Sequence, residues 1–194
     1  MAVKKVVQAG HPALKTKNQK IIDFKSPVLN KLIKDLRDTM YKTGLIGIAA
    51  PQIGENYMVF ITHPRSTNAR KLLNEDSLRI YVNPKITYSS KDKIIIYEGC
   101  GSLIDANLFG PVSRPGEVKV NAFDEKGKPF SLLANGILAR VIQHEQDHLL
   151  GTEFIQKVDD YNKIFDKAYY YKNIKNSKEQ KEVSKITKIE YKLL

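Results

Sequence analysis

Apolar positions recur along the chain with two different periods, and the switches between them mark its elements. Leu29, Leu32, Ile33, Leu36 and Met40 repeat every three or four residues behind Ser26-Pro27. That spacing predicts a helix with serine at its N-cap, proline in its first turn and Gly44 at its end. Tyr57 to Thr62 reads as a buried strand, and Leu78 to Tyr88 and Lys93 to Tyr97, rich in Ile, Val and Tyr, as further strands. Glu117 to Phe123 and Lys128 to Leu133 flank Glu125-Lys126-Gly127, the pattern of a hairpin. The helical period returns with Ile137, Val141, Ile142 and Leu149, between Asn135 as a cap and Gly151 as a stop. Gly47 to Gly54 is too rich in Gly and Pro for regular structure and too apolar for an exposed linker. His63 to Ser77 reads as a polar surface excursion and Asp105 to Gly116 as a loop. After Val158 come nine lysines and Tyr169-Tyr170-Tyr171, with few branched apolar residues. This predicts a helix from about Asp160 to Lys172 and then a weakly ordered basic tail. The expected organisation is a main domain over 1–158 and a basic helix and tail over 159–194.

The second helix carries chemistry. His144-Glu145-Gln146-Asp147-His148 spells H-E-x-x-H inside the apolar-periodic run. Positions i and i+4 lie one above the other on a helix face, so two imidazoles there can hold one ion without backbone strain. Glu145 is close enough to meet a water held by that ion. The competing reading is two histidines on a helix flank with satisfied hydrogen bonds. A catalytic metal is expected, and the fold class follows: α+β, short antiparallel strands packed around a central metal-binding helix.

Two histidines do not complete such a centre, which takes three protein ligands and leaves one position open. The candidates are His11, His63, the carboxylates and the single cysteine, Cys100, in Glu98-Gly99-Cys100-Gly101-Ser102. A lone cysteine is more often a small buried hydrophobe. Glycines on both sides, which suit close approach of the backbone to an ion or substrate, favour a ligand here.

Composition narrows the remaining classes. Thirty-two Lys and Arg against 21 Asp and Glu give a net charge of +11, which suits a polyanionic partner such as ribosomal RNA or simple solvation. The excess is scattered lysine, and no segment matches a DNA- or RNA-reading module. One cysteine excludes an internal disulfide framework and agrees with a reducing, cytoplasmic setting. No window approaches 18 uninterrupted apolar residues and the N-terminus has no export signal, so no membrane partner is expected.

With three motifs in order, the chain resembles the peptide deformylases, metallohydrolases that remove the formyl group from the initiator methionine of new bacterial proteins. The family's G-x-G-x-A-A-x-Q, E-G-C-x-S and H-E-x-D-H stand here as Leu45-Ile46-Gly47-Ile48-Ala49-Ala50-Pro51-Gln52, Glu98-Gly99-Cys100-Gly101-Ser102 and His144-Glu145-Gln146-Asp147-His148. His11-Pro12-Ala13-Leu14-Lys15 is similar to the family's opening D-P-x-L-R, and Val112-Ser113-Arg114 to its V-P-R. The likeness spans about Val6 to Val158. It implies Cys100, His144 and His148 as metal ligands and Glu145 as general base and then acid. It implies the Gln52 amide and the backbone N–H of Gly101 as oxyanion donors, and Ile46, Gly47 and Gly99 as the methionine-side groove. The implied ion is Fe²⁺, with Zn²⁺, Ni²⁺ or Co²⁺ able to substitute. The implied substrates are formyl-methionyl peptides and nascent chains. As in relatives whose C-terminal helix docks on ribosomes, the basic tail is implied as a ribosome contact.

Elementary chemistry agrees with these roles. A divalent ion brings the pKa of its water from about 15.7 towards about 7. Glu145 would take that proton and pass it to the departing amine. Attack on the formyl carbon places negative charge on its oxygen, which each positioned donor stabilises by about 3 kcal/mol. Formyl carries only hydrogen, so a tight pocket would exclude larger acyl groups. Two positions depart from the motifs. Leu45 stands where the first has Gly, and would strain a loop that needs positive φ. Gly101 stands where Leu or Met is common, and would leave the cysteine less covered. Three rival readings remain: an atypical deformylase-like protein with altered substrate use, another H-E-x-x-H metallopeptidase, and a basic ribosome- or RNA-binding protein with a structural metal. A cysteine ligand argues against the metallopeptidase, because thermolysin-like sites take a glutamate; the structural metal lacks a second cysteine for its fourth ligand.

Overall fold

The computed structural model describes residues 3–67, 72, 74–185 and 189–194. Helix α1 (Pro27–Thr43) starts where the Ser26 hydroxyl accepts the Val28 N–H at 3.2 Å and stops where Gly44 takes φ 73°. Its Leu29, Leu32, Leu36 and Met40 are buried, as their spacing requires.

Six strands lie side by side in one antiparallel sheet, in the order β1 (Gly47–Ala49), β2 (Val59–Thr62), β3 (Arg79–Ser89), β6 (Glu117–Phe123), β7 (Pro129–Asn135) and β9 (Ile189–Leu193). A smaller sheet joins β4 (Lys93–Glu98), β5 (Leu108–Pro115) and β8 (Phe165–Asp166). Side chains alternate across the larger sheet. Val59 and Ile61 pack with Leu29, Leu36 and Met40 of α1, whereas Phe60 packs with Leu138 and Ile142 of α2 (Gly136–Leu149). Strand β2 is apolar at consecutive positions because both of its faces are covered. Helix α2 crosses the inner face of this sheet and also bonds to the smaller one. Arg140 donates to the carbonyls of Ile94 and Val112 at 2.6 and 3.0 Å, and Gln143 to that of Pro115 at 3.0 Å. The α+β arrangement of antiparallel strands around a central helix is the one expected.

Several elements differ from the sequence reading. Gly47 to Ala49 form a strand, followed by a short 3-10 turn, Ala50–Ile53, rather than irregular chain throughout. Most of the expected loop Asp105 to Gly116 is strand β5, paired with β4 from Lys93↔Pro115 to Glu98↔Gly110. Pro111 and Pro115 fit because their positions do not face β4. The amide and carbonyl of Tyr97, opposite Pro111, bond outward to the Gln180 side chain, so prolines at that parity owe the ladder no N–H. Asn135 stands at the N-cap of α2 but makes no side-chain bond to its first turn. Part of the expected excursion His63 to Ser77 lies outside the described residues, and the described remainder is in no helix or named strand.

The segment after Val158 is more ordered than a helix and tail. The helix begins at Lys167, not near Asp160: α3 (Lys167–Asn173) is capped by the Asp166 carboxylate, which accepts the Tyr169 N–H. A second helix follows, α4 (Lys178–Val183), capped by Ser177, and β9 then pairs with β7 from Phe130↔Leu193 to Ala134↔Ile189. Among the described residues no helix is long and apolar enough to cross a membrane.

Candidate active site

Helix α2 and the turn after β4 meet at three side chains. His144 and His148, one helical turn apart on α2, face Cys100, and one ligand atom from each lies within 4.8 Å of the others. Among the described residues no second trio of His, Cys, Asp or Glu converges in this way. The other two histidines are engaged elsewhere. His11 Nδ1 accepts the Ala13 N–H at 3.2 Å, and His63 Nδ1 lies 3.0 Å from the Tyr41 hydroxyl. One thiol and two imidazoles are the donor set of a divalent transition-metal ion. Burial pushes the His148 pKa well below the ordinary histidine value, the direction that favours the neutral ring a ligand must be; at His144 burial works the same way but is outweighed by Cys100 and Glu98, which raise it.

Glu98 organises the ring nitrogens. Its carboxylate accepts from Arg114 at 2.7 and 3.0 Å, from Arg140 at 2.9 Å and from His144 Nδ1–H at 3.1 Å. Burial alone would raise its pKa, but Arg114 and His144 hold the carboxyl far below the usual range, so it acts only as acceptor. That fixes the His144 tautomer and leaves Nε2 free to bind an ion. Arg114 also reaches Asp147 of the same H-E-x-D-H run at 2.7 Å, tying the helix to β5. Arg140 is the residue that motif reading missed. A charged side chain four positions before His144, on the apolar face of the helix, was its signal.

Glu145 is buried, its pKa pushed up to about 7 by that burial, and its Oε2 has no hydrogen-bond partner in the structure. A Cβ at Gly47 would stand 2.6 Å from its Oε1 and would also meet Val141. Only glycine lets β1 pass this close to the carboxylate. Gln52 is buried, and its Oε1 accepts the Ala49 N–H at 2.8 Å. This turns the NH₂ end towards Cys100, with Nε2 3.7 Å from Sγ. Ser102 N–H also donates to Sγ at 3.4 Å, and His148 Nε2 lies 3.2 Å from it.

Ile46, Gly47, Gln52, Gly99, Cys100, Gly101, His144 and Glu145 all line one cavity of about 1340 Å³. Ile46, Ile137 and Val141 pack as an apolar cluster in its wall.

The two departures from the motif pattern turn out to touch. Leu45 is not in the left-handed region; among the described non-glycine residues only Asn83 and Asn107 have positive φ, and Gly44 supplies the turn. The expected strain at 45 is absent. The Leu45 side chain leans over Gly101, where an added Cβ would stand 2.9 Å from Leu45 Cδ1, while Cys100 itself is half-buried.

Comparison with known proteins gives a consistent picture. The family described as polypeptide deformylase matches residues 3–163. Peptide deformylase 1 of Bacillus subtilis is 42% identical over 164 residues, covering 83% of this chain and 93% of that protein. Peptide deformylase 1 of Ralstonia nicotianae is 35% identical over 156 residues, covering 80% and 86%. Among solved structures, a class I type b peptide deformylase from Acinetobacter baumannii with Met-Ala-Ser bound superposes with a TM-score of 0.76 at 30% identity, covering 81% of this chain and all of the other. Peptide deformylase 1B of Arabidopsis thaliana in complex with an inhibitor superposes with a TM-score of 0.71 at 35% identity, covering 80% and 82%.

Proposed function

This chain belongs to the peptide deformylase family, and we propose that it hydrolyses the N-formyl amide of formyl-methionyl peptides with the residues gathered around Cys100. The observation that carries the residue assignment is the convergence of Cys100, His144 and His148 beside the buried Glu145 carboxylate, whose Oε2 has no hydrogen-bond partner. Cys100, His144 and His148 would hold the ion; we favour Fe²⁺, with Zn²⁺, Ni²⁺ or Co²⁺ as substitutes. Bound there, a divalent ion supplies a Lewis acid for the formyl carbonyl and acidifies water at neutral pH.

The chain's own groups do the rest. Glu145, with a pKa near neutrality, is suited to take a proton from water and return it to the departing amine nitrogen. The Gln52 NH₂, oriented by the bond from Ala49 to its Oε1, and the Gly101 N–H would donate to the formyl oxygen as charge develops on it. Strand β1 is the outermost strand of its sheet, so the backbone of Ile46 and Gly47, with Gly99 opposite, offers an edge for an extended peptide. The apolar cluster of Ile46, Ile137 and Val141 suits a methionine side chain. We place the protein in the cytoplasm, where formylated chains are made, and give its basic C-terminal segment a ribosome contact.

Formate release from a formyl-Met peptide, by protein purified without oxygen and carrying one metal per chain, tests the reading. Glu145→Ala is expected to keep the metal and lose about 10²–10⁴-fold in kcat. Metal-loaded wild type that releases no formate overturns it.

A further inference from the structure

The cavity that holds Cys100 and Glu145 runs on to the segment after residue 163, where the family match ends. Its outer wall is made by α3, α4 and the residues that join and follow them, which bring Lys167, Lys175, Lys178, Lys181 and Lys185 to the same space as the reacting groups. We propose that this C-terminal wall selects substrates with acidic residues a few positions after the formyl-methionine. The proposal rests on the deformylase reading and adds a substrate class to it.

The wall is fixed rather than draped. The Gln180 side chain accepts the Tyr97 N–H at 2.7 Å and donates to the Tyr97 carbonyl at 3.3 Å and to the Tyr170 hydroxyl at 3.0 Å, occupying the edge of β4 as a neighbouring strand would. The Tyr170 ring stacks on Phe109 at 4.2 Å, and Phe109 lies against Gly99, so close that a Cβ there would come within 2.7 Å of its ring. Displacing the wall would disturb the motif glycine beside the cysteine.

The charge on this wall is only partly compensated, Glu182 lying near both Lys185 and Lys178. Among the described residues Lys167, Lys175, Lys178 and Lys181 make no ion pair; only Lys185 has a carboxylate, Glu182, at 2.9 Å. The carboxylates in the cavity are otherwise engaged: Glu98 is matched by Arg114 and Arg140, and Glu145 stands at the reacting centre. Lys167 and Lys175 flank the Tyr171 ring at 5.7 and 4.1 Å, which steadies their ammonium groups at the cavity wall. An occupant that reaches these lysines from within the cavity must run on from the reacting centre, and a peptide anchored by its first residue does so. Nucleic acid would instead meet lysines outside the cavity, such as Lys172.

The test compares kcat/KM for formyl-Met-Ala-Asp-Asp, formyl-Met-Ala-Ser-Ser and formyl-Met-Ala-Lys-Lys, each variant being normalised to its own neutral peptide. Wild type should favour the acidic over the basic peptide about tenfold at low salt, and the ratio should shrink towards one at about 0.5 M salt. The Lys175→Glu/Lys181→Glu pair should reverse it. Lys20→Glu/Lys34→Glu, exposed positions with the same change in net charge, should leave it as in wild type. A ratio near one in wild type, or an equal shift in the Lys20/Lys34 pair, overturns the proposal. So does a wall variant that loses affinity for an RNA fragment while the peptide ratio stays put, since the wall would then serve nucleic acid. Wild type that fails on the neutral peptide as well overturns the deformylase reading itself, and this proposal with it.

Discussion

Leu45 and Gly101 illustrate how two residues that each break a motif can satisfy it together. Read along the chain they are separate departures, 56 positions apart by subtraction of their numbers. In space one leucine side chain covers the glycine beside the cysteine, 2.9 Å from where a Cβ would be. The bulk that the motif pattern puts in the turn after β4 stands here in the segment just before β1. Gly101→Leu alone should therefore force Leu45 or the Gly101 N–H aside and, with that N–H in its proposed oxyanion role, lower kcat/KM by about 10²-fold, the scale of losing one oxyanion donor. Leu45→Gly together with Gly101→Leu should recover most of that, a coupling of about 1–3 kcal/mol in a double-mutant cycle. Strictly additive effects would show that the two side chains do not share this space in solution. Glu98 gives a second residue-scale prediction. Glu98→Gln keeps an acceptor for His144 but removes the charge that Arg114 and Arg140 bury against. It should destabilise the fold by about 3–5 kcal/mol in denaturant titrations and weaken metal binding about 10–100-fold. Unchanged stability would mean that the two guanidiniums find other partners.

At the scale of elements, legibility followed locality. Helix α1 could be read because its cap, its apolar period and its stop all lie within one stretch, Ser26 to Gly44. The histidine pair on α2 was equally local, since a one-turn spacing fixes the geometry by itself. Cys100 needed a second motif, from the turn after β4. Strand β5 was missed because prolines and glycines within it read as loop, and their acceptability depends on which edge of β4 they face. Gln180 was not legible at all, because its role is set by the Tyr97 backbone, 83 positions away. That role can be measured. Gln180→Ala should cost about 1–2 kcal/mol by leaving the Tyr97 amide and the Tyr170 hydroxyl without this partner. It should also raise KM for formyl peptides more than it lowers kcat, because the cavity wall loosens while Glu145 and the metal ligands stay. Equal losses in both parameters, or none, would show that the wall is not part of substrate binding.

The whole molecule carries +11, and lysines alone make the C-terminal segment read as a loose basic tail. The fold sets that charge in two places. Lys167, Lys175, Lys178, Lys181 and Lys185 line the cavity, whereas Lys172 and Lys192 are exposed outside it, Lys192 on strand β9. Because β9 pairs with β7 and Tyr191 packs on Phe130 at 5.3 Å, deleting residues 173–194 would strip an edge strand and much of one wall of the cavity. Weaker ribosome binding by such a truncation would report a damaged fold as readily as a missing docking surface. Charge reversal outside the cavity separates the two. Lys172→Glu/Lys192→Glu should leave the unfolding midpoint within about 0.5 kcal/mol of wild type, as substitutions at exposed positions do. If these lysines meet ribosomal phosphates, co-sedimentation should weaken and its salt slope fall by about one unit for each phosphate no longer neutralised. The preference among acidic and basic peptides should stay as in wild type, since neither lysine lines the cavity. Pelleting that is unmoved at every salt concentration would remove the ribosome from this face.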